Sequence, residues 1–391
     1  MVLLTLLPST VPVAALPLLQ REWGASGAEA GWLVAGLQIG YAAAVLAVVP
    51  LTDRISSMRI MMGATILAVG GNVLFAMLAH DPWSGAALRA MIGFGLGGIY
   101  IPGVRMVSAS VPPARRGSAI SLYHSATVLG NATGLFAAGA LLPLVDWRGA
   151  ALVLGLASGA AIPLAVTGIR GAPASALGSS GRLHPAVLRD PGVARTVSAY
   201  AGHTWELFGV RAWMPALFAA ALMLQGVDAT EAAADAGRWV AFMVLLGLPA
   251  VLVAGWLSDR LGRPRVAASV AMGSICVSLA LGFLLQAPWP VLVIAGSLAG
   301  MLMAADSAIY TVVVTETAAP ARVGSALALQ SFAGFIASSA SPVVIGAALD
   351  LFSWPGAFAV GGLGALALIL PFALAAVGRE RHAEAFRAGS R

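Results

Sequence analysis

The chain has 391 residues, of which 59% are hydrophobic and 10% charged, against roughly 25% charged in an ordinary globular protein, so it is built to be solvated by lipid. All 22 basic residues are arginine, which excludes a Walker A phosphate loop and a Schiff-base lysine, since both need the ammonium group. The formal charge of +6 follows the arginines into membrane loops and implies no nucleic acid, while Cys276, the single cysteine, has no partner for a disulfide or a metal site and reads as apolar filler.

A membrane-crossing helix needs about 20 apolar residues, and twelve segments meet that requirement. In chain order they are 1–19, 30–52, 60–79, 85–108, 118–142 and 150–169, then 196–222, 236–257, 266–286, 291–314, 325–348 and 356–377. The first is interrupted by Pro8, Pro12 and Pro17 and has no basic flank before it, so it is expected to be a span and not a cleaved signal. Residues 170–195 are rich in Gly, Ser, Ala and Pro and carry four arginines, the composition of a cytoplasmic linker. The expected organisation is therefore a six-helix bundle over 1–169, the linker, a second bundle over 196–378 and a cytoplasmic tail over 379–391.

The two halves echo each other. GWLSDRLGRPR, from Gly255, returns to the pattern of PLTDRISSMR, from Pro50; PARVGSA at Pro320 repeats PARRGSA at Pro113; and WPGA at Trp354 repeats WRGA at Trp147. A near-constant offset makes the chain two parallel copies of one design. Loops on one side hold Arg54, Arg59, Arg115, Arg116, the linker arginines, Arg260, Arg263, Arg265, Arg322 and those of the tail, against Arg21, Arg89, Arg148 and Arg238 on the other. The positive-inside rule then puts both termini in the cytoplasm. Trp23, Trp32, Trp83, Trp147, Trp239, Trp289 and Trp354 fall near the outer ends, as an interfacial belt would.

Six plus six spans, with that loop after the eighth, resemble the major facilitator superfamily (MFS). The signature Gly-x-Leu-x-Asp-Arg-x-Gly-Arg is matched by Gly255, Leu257, Asp259, Arg260, Gly262 and Arg263; the first-half copy keeps Leu51, Asp53 and Arg54, with Val49 for the glycine and Ser56–Ser57 for the Gly-Arg pair. The resemblance implies an all-α fold of two bundles, a gating role for these loops, and a central cavity lined by helices one, four, seven and ten. Of the family's fourth-helix pattern, Arg89, Gly93 and Gly95 match while Ile92 stands for glutamine. The antiporter pattern of the fifth helix is degraded: Gly130, Gly134 and Gly139 are present but Leu135 replaces the proline. Independently of the family, Asp259 just past a helix end is placed to accept backbone N–H bonds of the next helix, with Glu316 and Arg322 as partners for the loop arginines at the same surface.

Ionisable residues inside a span are costly and point to function. Here they are Arg89 and Arg105 in the fourth span, His203, Glu206 and Arg211 in the seventh and Asp306 in the tenth, with His124 in the fifth. At roughly 1.5 Å per residue, Glu206 and Asp306 both lie some 12 to 15 Å deep and are expected to share the cavity. Arg105 is near a helix end, where snorkelling to headgroups is the alternative. Glu206 needs either a proton or an arginine, and His203, one turn away, reads as a proton relay or as a neutral histidine bonded to a neighbour. Gln38, Tyr41, Tyr100, Tyr123, Asn131, Tyr310 and Gln330 are candidate neutral donors. With no ATP motif, the expectation is a monomeric, cofactor-free secondary transporter of the cytoplasmic membrane, working by alternating access and coupled to protons. Three interior arginines against two acids tilt it toward uptake of a small organic or inorganic anion. Proton-coupled efflux of drug-like molecules is the alternative; a membrane-embedded enzyme would need clustered carboxylates or a metal site that the sequence does not show.

Overall fold

A computed structural model describes residues 1–51, 54–112, 115–171 and 185–389. The first span is broken by its prolines into α1 (Val2–Leu6), a 3-10 turn (Pro8–Thr10), α2 (Val11–Ala14) and α3 (Leu16–Trp23), with a bend of 54° between its two parts. The first half continues through α4 (Gly27–Leu51), α5 (Ser57–Leu78), α6 (Pro82–Ala109), α7 (Arg116–Ser158) and α8 (Ala161–Gly171). The second holds α9 (Pro191–Leu224), α10 (Ala229–Leu261), α11 (Arg263–Leu281), α12 (Trp289–Ala305), α13 (Ser307–Thr317) and α14 (Val323–Gly389). Helix resumes at Pro191, ahead of the expected 196, because Asp190 caps it by accepting from Gly192 N at 2.7 Å and proline suits a first helical turn.

Among the described residues nine helices are long and apolar enough to cross a membrane, or ten with the bent first pair. Two of the nine, Ala119–Thr167 and Pro320–Gly378, run for 49 and 59 residues, over twice the ~20 a span needs, and each turns back once. In α7, Gly130 and Gly134 advance along Leu3 and Leu7, whereas beyond the turn Gly155 and Gly159 retreat along Asn72 and Val69. In α14, Gly334 lies on Tyr200 and Thr204 and Ser341 on Gly209, after which Gly361 meets Val210 and Ala365 meets Gly202. Each long helix is thus two antiparallel spans, which brings the fold to the twelve expected.

The turns fall on equivalent residues of the repeat. Asp146 (φ 57°, ψ −174°) and Ser353 (φ 57°, ψ −168°) each precede the repeated tryptophan, and among the described residues they are the non-glycine positions with positive φ. The Asp146 carboxylate caps the arm that follows, accepting from Gly149 N at 2.8 Å. The tryptophans pair at this same arginine-poor end: Trp23 with Trp147 at 5.6 Å, Trp32 with Trp83 at 6.4 Å and Trp239 with Trp289 at 6.1 Å between ring centres.

The halves are held together toward this end, where α4 meets α14 and α7 meets α10. Gly27 and Gly31 lie against the backbone of Gly346 and Pro342, an approach that only a missing Cβ allows. Asp350 accepts from Gly27 N at 2.6 Å and from Ala28 N at 3.0 Å, so the start of α4 is capped by the other half. Arg238 Nη2 donates to the Gly139 carbonyl at 3.0 Å. Large apolar side chains such as Leu122, Leu252 and Phe283 are exposed on the outside, as a lipid-facing surface requires, and Cys276 is exposed likewise.

Candidate functional site

A cavity of about 440 Å³ lies between the halves, lined from both of them. On α9 its wall is formed by Tyr200, Thr204, Phe208 and Arg211, whose spacings of four, four and three residues keep them on one helical face. On α6 it is formed by Arg89, Leu96, Ile99 and Tyr100. Arg89 is 1% exposed, donates through Nη1 to the carbonyl of Ser9 at 2.9 Å in the 3-10 turn of the broken first span, and has no partner for Nε among the described residues. Arg211 lies beside the Phe208 ring, 5.6 Å from its centre. No aspartate or glutamate lines this cavity among the described residues, so two guanidinium groups face it uncompensated.

Aromatic rings form a further part of the wall. Tyr41 packs on Phe335 at 5.3 Å and on Tyr100 at 6.5 Å, and the Tyr100 hydroxyl lies 3.2 Å from His124 Nδ1. The sequence has five tyrosines: Tyr41, Tyr100 and Tyr200 line the cavity, Tyr123 stacks behind Tyr100 at 5.5 Å and Tyr310 behind Tyr200 at 6.5 Å. Of the candidate neutral donors, Gln38 and Asn131 also line it, while Gln330 does not.

Of the remaining interior ionisable residues His124 is on the cavity wall, whereas His203, Glu206, Asp306 and Arg105 are not. His203 and Glu206 lie roughly 100° and 200° around α9 from Thr204, which turns them into the second bundle. Ser274 and Ser278 of α11 donate to Glu206 Oε1 at 2.8 and 2.6 Å. His203 Nδ1 pairs with Asp306 Oδ1 at 2.8 Å, and its Nε2 is 2.8 Å from Ser307 Oγ. Asp306 occupies the break between α12 and α13. All three ionisable residues are 3% exposed, and no arginine ion pair reaches them among the described residues. The cluster adjoins the cavity through Tyr200, whose ring centre is 5.9 Å from that of His203. Arg105 lies near the end of α6, off the cavity wall.

In the signature loop, Arg263 bonds Asp259 at 2.8 Å and also Glu316. Asp259 therefore holds a side chain and not the start of the next helix, whose N-cap is Gly262 at φ 94° with no side-chain cap. Gly255 leaves open space on α10, and Arg260 covers the Trp256 ring at 3.9 Å. Glu316 is the expected partner; this triad ties α10, α11 and α13 within the second half. In the first-half loop Arg54 is exposed and Asp53 falls outside the described residues. Sequence reasoning named four of the five tyrosines but not Tyr200, and it named neither Phe208 nor Phe335, since a phenylalanine in an apolar span carries no signal alone; the spacing to Arg211 was the available clue for Tyr200 and Phe208.

The fold and the central, two-sided cavity are those of a membrane transporter. The chain matches the Major Facilitator Superfamily over residues 1–234 and 207–391, and it belongs to that family. It is 25% identical over 301 residues to a gallate transporter of Pseudomonas putida, covering 67% of this chain and 64% of that one. It is 24% identical over 295 residues to the niacin transporter of Acinetobacter baylyi, covering 66% and 65%. Each match thus spans just under two thirds of the relative's length. Among solved structures, a D-xylose–proton symporter superposes with a TM-score of 0.77 at 17% identity over 95% of this chain and 94% of its own. The protein is a multi-pass membrane protein of this superfamily, and the relatives it matches are named as transporters.

Proposed function

We propose that the protein imports a small organic anion, an aromatic carboxylate, across the cytoplasmic membrane together with protons, acting as a monomer by alternating access with both termini in the cytoplasm. The observation that carries this reading is the cavity with two arginines and no carboxylate. A guanidinium away from water is best satisfied by a planar carboxylate that accepts two parallel hydrogen bonds. The tyrosines on the same wall favour a ring, and the two relatives are named for gallate and niacin, both ring-bearing acids. Exchange of a cationic drug for a proton would need an acidic group in the cavity, where the described wall offers none, so uptake is favoured over efflux.

Proton coupling is assigned to His203, Glu206 and Asp306. Two carboxylates and one histidine buried without an arginine are electrically neutral only when they hold protons. Because these groups stand behind the cavity wall, anion and proton load side by side without competing for one residue, which suits symport. The halves touch at the arginine-poor end, so the structure is read as inward-facing.

A thermal-shift screen of the purified protein tests the substrate sign. Aromatic carboxylates are expected to raise the unfolding midpoint, since a ligand at about 100 times its Kd stabilises by roughly 2.7 kcal/mol. Stabilisation by lipophilic cations alone would overturn the anion reading and restore efflux.

A further inference from the structure

Arg89 and Tyr100 stand eleven residues apart on α6, and Tyr200 and Arg211 stand eleven residues apart on α9. Eleven residues return to within about 20° of the same helical face and advance by about 16 Å, and all four residues line the one cavity. The order is reversed between the helices, and so is their direction. Gly36 and Gly40 of α4 advance along Ala86 and Ala90 of α6, whereas Gly27 and Gly31 meet Gly346 and Pro342 of α14 in descending order. The same arm of α14 runs with α9, from Gly334 at Tyr200 to Ser341 at Gly209. α6 and α9 are therefore antiparallel, and the two reversed orders coincide: both arginines lie toward the end where the halves touch and both tyrosines toward the opposite end.

Side-chain direction sharpens the arrangement. Helical side chains lean toward the N-terminus of their own helix, so Arg89 leans toward the sealed end and Arg211 leans away from it. The two backbones are offset along the cavity, and these opposed leans bring the guanidinium groups toward each other from opposite helices. Tyr41 and Phe335, in contact at 5.3 Å, fill the wall between these groups and Tyr100.

We propose that the cavity reads its substrate at two levels, a carboxylate between Arg89 and Arg211 and an aromatic ring against Tyr100 and Tyr200, so that the preferred substrate is an aryl carboxylate whose ring and acid are separated by a chain of several bonds. In a benzoate the carboxyl carbon is bonded directly to the ring, so acid and ring cannot reach both levels together. A chain of several bonds lets the acid reach the guanidinium groups while the ring reaches the tyrosines, the hydrogen-bond and ring-contact distances covering the rest of the roughly 16 Å between backbone positions. The volume of about 440 Å³ agrees, since cavities of roughly 300–1,000 Å³ hold drug-sized ligands. The Arg89 Nε, which lacks a partner, is a donor left for the acid. This inference rests on the anion reading above and adds to it the length of the molecule.

A ligand series on the native purified protein tests it without relying on any variant. Benzoate, phenylpropanoate, phenylpentanoate and ring-free hexanoate are compared by thermal shift and by competition. Phenylpentanoate is expected to bind tighter than both benzoate and hexanoate by about tenfold, the worth of seating one ring on aromatic partners. In the double variant Tyr100→Ala, Tyr200→Ala, the advantage of phenylpentanoate over hexanoate should disappear. Equal or tighter binding of benzoate, or a ring advantage that survives in the double variant, overturns the two-level arrangement and leaves the anion reading standing. Failure of the whole series to bind removes both.

Discussion

Glu206 receives two serine hydroxyls on the same oxygen, Oε1, and faces an aspartate–histidine pair in place of an arginine. A carboxylate so placed has hydrogen-bond donors enough to be stable in either protonation state, but no fixed positive charge to hold it ionised. Glu206→Gln keeps the shape and the serine bonds and removes the titration. The variant is expected to bind substrate and to exchange it across proteoliposome membranes, yet to lose accumulation driven by a pH gradient. Full accumulation would pass the role to Asp306, and loss of folding and binding together would mark Glu206 as structural. That these residues are ionisable groups buried within the spans was legible in the sequence, because charge within an apolar span stands out. Which way they point was not. His203 and Glu206 were expected in the cavity with Arg211, and all three are on α9; the face is decided by the packing of α11 and α13 against that helix, which no local pattern encodes.

At the scale of the element, the two sharp turns carry a testable asymmetry. Asp146 and Ser353 share a backbone conformation that glycine alone adopts freely, at a cost of about 1–3 kcal/mol for other residues. Asp146 recovers part of that cost through its bond to Gly149 N, and Ser353 makes no such bond among the described residues. Ser353→Gly should therefore stabilise the protein by about 1 kcal/mol, after allowing for the greater freedom of glycine in the unfolded chain, while Asp146→Gly should change little because it also loses a cap worth about 1 kcal/mol. Thermal unfolding midpoints of the two variants check this, and equal shifts would show that the strain is not what distinguishes them. The sequence displayed both sites as the WRGA and WPGA repeat, and the twelve spans with it. It did not show how short the turns would be: the non-helical backbone is confined to Val145 and Asp146 in the first and to Ser353 in the second.

For the whole molecule, the contact between the halves is small at its outermost point. The start of α4 has its own cap, in which Ser26 Oγ accepts from Glu29 N at 3.2 Å and Glu29 accepts in turn from Ser26 N at 2.9 Å. Gly27 N and Ala28 N are left to Asp350 of the second half. When the halves part at this end, water takes over those two groups, so Asp350 favours the closed arrangement by about the value of a helix cap, roughly 1 kcal/mol. Asp350→Ala, which removes both acceptors, is expected to raise the population open at the arginine-poor end about fivefold. The readout is the labelling rate of a cysteine at Gln38, on the cavity wall, by a membrane-impermeant reagent added from that side, with Cys276→Ser as background. An unchanged rate would show that the glycine contacts alone hold this end shut.

The keeping of arginines on the cavity wall and of acids behind it also bears on voltage. An elementary charge carried across 100 mV of membrane potential is worth about 2.3 kcal/mol. Arginine keeps its proton throughout the physiological range, so the cavity charge is the same in every cycle and only the passengers differ. With one proton taken up by the His203–Glu206–Asp306 cluster for each monoanion seated at Arg89 and Arg211, the passengers sum to zero. Moving the potential from inside-negative to zero with potassium and valinomycin should then leave uptake into proteoliposomes unaltered, whereas with a second proton per anion uptake would fall. A carrier of the first kind keeps filling a depolarised cell and ceases to concentrate its substrate when both sides of the membrane reach the same pH.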